Sequence, residues 1–327
     1  MRRTLKGLLL GAAALMAPTV AYADDDEGSA TNSHSHSIRF GIGATTLDMP
    51  EHGGGSFQLD FGSGIAPIVD QADVDGTSYD LVFTRNLSSG WRLGIGARYF
   101  DGDGSSSRSF AIPNATPFRR GSITGGSVVV GGWGGVGAAQ QELDVDVNDF
   151  AVGASFGRPL TDVVRADLVV SYGTRETDYR NRVSETNFSE LYITNTSFTE
   201  DTLEIAARLS ATLPLTERFS LSLGGSAGWG LRNAEMDAFQ SYQNGLLTSS
   251  TLQVDDDLDG FIGRADLGLN FAIMPSTSLQ VMASYVYDDM TPVYVAPNYV
   301  TGAAATFTTD NISGFTYGLR LSRQFER

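Results

Sequence analysis

From Phe219 to Gly230 the chain reads FSLSLGGSAGWG, in which Phe219, Leu221, Leu223, Gly225, Ala227 and Trp229 alternate with Ser220, Ser222, Gly224, Ser226, Gly228 and Gly230. Period-two alternation predicts a strand whose faces meet two different environments. The apolar face is large and the polar face is very small, whereas a water-facing strand normally carries long or charged side chains. The same pattern recurs over Trp91–Tyr99, Val164–Tyr172 and Leu279–Tyr287. Each copy follows a short turn, within Asn86–Trp91, Pro159–Asp162, Pro214–Phe219 and Met274–Ser278. Alternating runs also lead into the turns, over Tyr79–Leu87, Phe150–Arg158, Leu203–Leu213 and Phe261–Ile273, and Ile38–Ala44 and Phe315–Phe325 complete a set of ten. Eight or twelve strands are the alternatives: Ser56–Ile65 would supply an eleventh and the long second loop a twelfth.

Between these hairpins lie segments rich in Gly, Ser, Asn and Asp, over about residues 48–77, 101–146, 180–199, 237–258 and 290–312, read as long loops. Short turns at one end and long loops at the other are the asymmetry of transmembrane barrels, whose strands cross in about 9 to 11 residues. The expected fold is therefore all-β, a closed antiparallel transmembrane β-barrel, with its apolar face towards lipid and its Gly/Ser face lining a polar interior. Closure follows from physics, because an open sheet edge in hydrocarbon leaves backbone groups without partners. A soluble all-β sandwich is the competing architecture. Trp91, Tyr99, Tyr172, Phe219, Trp229, Tyr285 and Tyr287 fall near strand ends, where interfacial aromatic girdles sit.

On these alternating strands and turns, residues 37–327 resemble bacterial outer-membrane β-barrel proteins of the porin-like and opacity-like kind. The resemblance implies short periplasmic turns, long extracellular loops, outer-membrane lipid around the wall, and delivery by the barrel-assembly machinery of a Gram-negative envelope. Such proteins usually finish on an aromatic residue. Here Tyr317, Leu319, Leu321 and Phe325 alternate as the class does, but Arg323 interrupts them and Glu326-Arg327 follow.

Composition adds to this reading. Arg2, Arg3 and Lys6 precede the apolar run Leu8–Ala17, and Ala21-Tyr22-Ala23 ends in a small-x-small pattern, so residues 1–23 read as a secretory signal peptide and 24–36 as an acidic tail. The formal charge is −16, and loss of those three cations makes it −19. Such acidity disfavours nucleic acid as a partner. There is no cysteine, which removes disulfides and thiolate metal sites. Lys6 is the only lysine, so the barrel's cations are arginines, suited to bidentate pairing with carboxylates.

Alternation points Arg39, Arg92, Arg98, Arg165, Arg208, Arg264 and Arg320 inward, with Asp80, Asp149, Asp167, Glu204 and Asp266. Ten strands enclose only slightly more than the eight whose side chains fill the interior, so these charges are close enough to pair. Two functions follow. Charges lining a water-filled constriction make a narrow porin-like channel for small solutes, the leading expectation; pairs that brace the lumen make a closed structural or surface-interaction barrel.

The glycine-rich run Gly125–Gly137 is either a plug or a hairpin extension. Asp255, Asp257, Asp259 and Gly260 match positions 1, 3, 5 and 6 of a calcium loop, but position 12 is Asp266 where Glu is wanted, so they are only a weak metal candidate. No cofactor is expected. The chain is read as a non-enzyme; a hydrolase would need His52 at the rim with Ser56 and either Asp48 or Asp60.

Overall fold

The computed structural model describes residues 35–52, 56–59, 64–67, 71–87, 90–112, 137–185, 188–242, 248–295 and 306–326. These form twelve strands: β1 (Ser35–Asp48), β2 (Ser56–Leu59), β3 (Gly64–Pro67), β4 (Asp73–Asn86), β5 (Arg92–Ile112), β6 (Gly137–Pro159), β7 (Val164–Glu185), β8 (Phe188–Pro214), β9 (Phe219–Tyr242), β10 (Thr248–Met274), β11 (Thr277–Val295) and β12 (Thr306–Glu326). Ten of them close into one barrel in the order β1-β12-β11-β10-β9-β8-β7-β6-β5-β4, every neighbouring pair antiparallel. Closure is made by β1, whose two edges pair with β12 and β4, as in Ile42↔Leu319 and Ile42↔Tyr79. The segment around Ser56–Ile65 is not a barrel strand: β2 and β3 pair only with each other.

The four short turns lie where the sequence puts them. Two are built alike from Pro-Leu-Thr: Thr161 Oγ1 accepts from the Val163 and Val164 amides, and Thr216 Oγ1 accepts from the Arg218 and Phe219 amides at 3.2 and 3.1 Å. The side-chain oxygen satisfies amides that a tight reversal leaves exposed. Gly90 closes the β4–β5 turn with φ 79°, a left-handed conformation that glycine adopts without steric cost.

The strands run much farther than a membrane crossing requires. β8 and β10 each hold 27 residues, against about 9 to 11 for a span. Much of what the sequence suggested were long loops is therefore strand: β6 begins at Gly137, β7 runs to Glu185, and β10 begins at Thr248. The run Gly125–Gly137 lies outside the described residues except for its last glycine, and residues 1–34 lie outside them altogether.

Along each tall strand the hydrophobic face changes side. On β6, Phe150, Val152 and Phe156 face outward near the turns while Asp149, Gly153 and Ser155 face inward. Farther up, the outward residues are Glu142, Asp144, Asp146 and Asn148, and Leu143, Val145 and Val147 are buried inside. β9 repeats the exchange, with Leu223, Trp229 and Leu231 outside below, Glu235 and Asp237 outside above, and Met236 and Ala238 buried. The lower half is an inside-out protein and the upper half an ordinary one.

Candidate functional site in the barrel lumen

Around the lower half runs a belt of exposed apolar side chains, including Phe40, Ile95, Val170, Leu209, Leu267 and Leu319. Aromatics bound it. Near the turns Trp91 stacks on Phe156 at 4.4 Å and Phe219 meets Phe271 at 5.1 Å; at the far edge Tyr79 faces Tyr99 and Tyr287 faces Phe261. Tyr285 contacts Phe315 at 4.9 Å, Tyr172 is exposed, and Trp229 Nε1 donates to Asp259 at 3.1 Å. A closed barrel with such a belt has the two surfaces that hydrocarbon outside and polar groups inside require.

Inside the belt the lumen holds arginine and carboxylate in contact. Nearest the turns, Asp80 lies between Arg320 at 3.0 Å and Arg39 at 3.8 Å, Asp167 meets Arg92 at 3.3 Å, and Asp266 meets Arg208 at 3.0 Å. One level higher Glu204 receives both terminal nitrogens of Arg264, at 2.5 and 2.7 Å, the bidentate fork to which guanidinium is suited. Arg98 and Arg175 share Asp149, both at 3.4 Å. Interior glycines make room for these long side chains: a Cβ at Gly41 would strike the Asp80 carboxylate and the Arg320 stem, and one at Gly157 would strike Asp167.

Four members of this network were not singled out from the sequence. Arg232 bridges Glu200 at 2.8 Å and Asp288 at 2.6 Å, donates to Thr202 Oγ1 at 2.8 Å, and reaches the Met290 carbonyl at 3.0 Å. Arg175 lies 3.7 Å from the same two carboxylates. All four sit just past the ends at which the apolar-out runs stop, at Leu231, Tyr172, Leu203 and Tyr287. Counting the alternation onward by two would have placed each of them inside.

Arg165 differs from the others. It makes no ion pair with a carboxylate among the described residues, and its Nη1 is buried without a hydrogen-bond acceptor. The paired charges surround a cavity of about 360 Å³, whose lining includes Arg39, Arg98, Arg208, Arg264 and Arg320 with Asp80, Asp149, Glu204 and Asp266.

Above the charges the lumen is filled with buried side chains, mostly apolar, with Gln141, Asn181, Thr194 and Thr196 also buried on the same strands. Leu47, Val74, Phe100, Leu143, Val145, Val147, Tyr179, Phe198, Met236, Tyr294 and Ile312 form one buried cluster with Met49 and Ala72, and Leu252, Val254 and Phe307 pack against it. Nine of the ten barrel strands place a buried residue in it, and β10 packs the partly buried Leu252 and Val254 against it. His52 lies within this layer, not at the rim: it is 1% exposed, stacked 4.0 Å from Tyr179 and 5.7 Å from Tyr294. Both its ring nitrogens are buried without partners, and burial pushes its pKa down to about 3. A neutral imidazole sealed among aromatics cannot reach a substrate, so the arrangement of His52 with Ser56, Asp48 or Asp60 at a rim is not formed by His52 as placed. Asp255, Asp257 and Asp259 are alternate residues of β10, exposed on its outer face, and Asn233 Nδ2 donates to the first two at 2.9 and 3.3 Å. A continuous strand cannot wrap an ion as a calcium loop does, and no group of three acidic or histidine ligands converges among the described residues.

A closed antiparallel barrel, apolar outside and charged within, is the architecture of a transmembrane β-barrel, the fold that outer-membrane proteins share. No protein-family model matches this chain, and no curated protein sequence does. Among solved structures it is similar to the outer membrane protease OmpT from Escherichia coli, at 10% identity and TM-score 0.44 over 90% of this chain and 97% of that one. The translocator domain of the autotransporter NalP from Neisseria meningitidis matches at 11% identity and TM-score 0.40, over 99% and 96% of the two chains. Ail, the attachment invasion locus protein of Yersinia pestis, matches at 12% identity and TM-score 0.27, over 89% and 98%. These three differ in role, and likeness at this level assigns none of their activities to the present chain.

Proposed function

We propose that the protein is a closed, non-conducting outer-membrane barrel that acts through its rigid, acidic extracellular half as a structural and surface-interaction module. The observation that carries this reading is the buried cluster built from nine strands, against which β10 packs the partly buried Leu252 and Val254, because an apolar layer of side chains excluded from water stops ions and hydrated solutes alike. The paired charges beneath it then serve as braces, and good geometry with satisfied hydrogen bonds is what makes buried pairs tolerable. The outer face of the upper half supports an interaction role. Asp75, Asp103, Asp146 and Asp178 lie directly opposite one another on four successive strands, a row of like charges that is unfavourable for folding. A cationic partner on that face would relieve it.

The narrow-channel reading uses the same charges as a selectivity filter and needs a continuous water path. Planar-bilayer recording decides between the two. The folded protein, reconstituted alone, is expected to give no current steps at either polarity; reproducible steps with ion selectivity that changes in Arg98→Ala would overturn the closed reading in favour of the pore.

A further inference from the structure

The turn-proximal end of the lumen holds more positive than negative charge. Arg39, Arg92, Arg165, Arg208 and Arg320 share it with only Asp80, Asp167 and Asp266. The five arginines form one group across the barrel: Arg208 is within electrostatic reach of both Arg39 and Arg92, Arg320 of Arg39, and Arg165 of Arg92. Donors go unused there as well. The Nε atoms of Arg39 and Arg92 and the Nη1 of Arg165 are buried with no acceptor. An excess of charge ringed by a low-dielectric wall is unfavourable unless a counter-charge accompanies it.

Elsewhere the chain matches its lumen charges one for one: Arg98, Arg175, Arg232 and Arg264 stand with Asp149, Glu200, Glu204 and Asp288. The surplus is confined to the lower end, where Arg39, Asp80, Arg208, Asp266 and Arg320 line a cavity of about 360 Å³. The two ends of the lumen also differ. Above lies the apolar cluster, whereas below lie small polar side chains, among them the Ser37–Thr84 pair, Gln280 donating to Ser222 at 2.7 Å, and Asn270 donating to Ser220 at 3.3 Å, so a hydrated ion meets no apolar layer from that side.

We infer that the turn-proximal lumen is a binding site for a small dianionic oxyanion, of the phosphate or sulfate class, entered from the periplasmic end and held by Arg39, Arg92, Arg165 and Arg208. Two negative charges match the surplus of two arginines, and tetrahedral oxygens accept from several guanidinium groups at once. Chloride carries one charge and leaves one arginine of the surplus unmatched. The site stands whether or not the barrel conducts, since it depends on the lower charges and not on the upper cluster.

The test is calorimetric titration of the folded, detergent-solubilised protein with inorganic phosphate and with sulfate, at ionic strength held constant with chloride. Saturable binding with a stoichiometry near one is expected for both. Arg165→Gln, which disturbs no ion pair, is expected to weaken it about tenfold or more, and Asp167→Asn, which removes a competing carboxylate, to tighten it. Absence of saturable heat above the chloride background overturns the inference, as does Arg165→Gln binding as tightly as the unaltered chain. Should Arg165→Gln not fold, as judged by loss of the heat-sensitive shift in gel mobility, Asp167→Asn decides alone: unchanged or weaker binding overturns the site.

Discussion

His52 shows how far the surroundings of one side chain decide what it can do. In the sequence it stands in Glu51-His52-Gly53 beside serines and aspartates, a composition compatible with rim chemistry. In the structure it is an aromatic plate between Tyr179 and Tyr294. Its pKa is depressed from 6.5 to about 3 by burial, so in the folded chain it is neutral while in the unfolded chain it takes a proton below about pH 6.5. The unfolded state then binds more protons between about pH 6.5 and 3, and stability falls as pH falls through that window, by up to about 1.4 kcal/mol per pH unit. Acidification from pH 7 to pH 4 is therefore expected to lower the hydrogen-exchange protection factors, taken against the intrinsic rate at each pH, in the upper parts of β7 and β11. His52→Phe, which keeps the stack and removes the titration, is expected to abolish that acid sensitivity; equal sensitivity in both proteins would refute the assignment.

Arg232 makes a related point about legibility. It lies three residues beyond Trp229, at the place where the outward apolar run ends at Leu231, and the sequence reading stopped with the run. Its role follows from a rule already in hand, that alternate residues share a face, applied a little farther than the apolar signal extends.

Single strands carry two instructions in series. On β6 the segment Gln141–Val147 alternates as cleanly as Phe150–Phe156, but with the opposite phase of apolar residues relative to the barrel axis. Search for apolar residues on the lipid face and the upper part looks like a polar loop; follow the alternation itself and it is the same strand. The inversion marks the plane at which the outer solvent changes from hydrocarbon to water. Val145→Asp tests this element. It places an unpaired charge in the apolar cluster, at a cost of about 3–5 kcal/mol, without touching the belt. The variant is expected to insert and keep its heat-sensitive gel mobility while β6 above Asp149 loses hydrogen-exchange protection. Loss of membrane insertion in place of local opening would show that the two halves do not fold separately.

Taken whole, the molecule separates its charges: arginine and carboxylate pair inside, and acids such as Asp103, Asp146, Asp178, Glu235 and Asp237 crowd the upper exterior. With a formal charge of −16, the exterior repels itself, and screening weakens repulsion between exposed charges more than attraction between buried ones. Raising sodium chloride from about 10 to 300 mM, from a Debye length of about 30 Å to well under 10 Å, is expected to raise the heat-unfolding midpoint by a few degrees. A midpoint that falls with salt would mean that exposed attractive pairs dominate instead.

The sequence by itself determined the barrel, its ten-strand count and its four tight turns, because each rests on local alternation and turn chemistry that neighbouring residues specify. Only the tertiary structure decided which arginine meets which carboxylate, that Arg165 meets none among the described residues, and that an apolar cluster lies above the charges. Those depend on the stagger between strands far apart in the chain and on side chains from many strands converging at one height, which periodicity along a single strand does not encode.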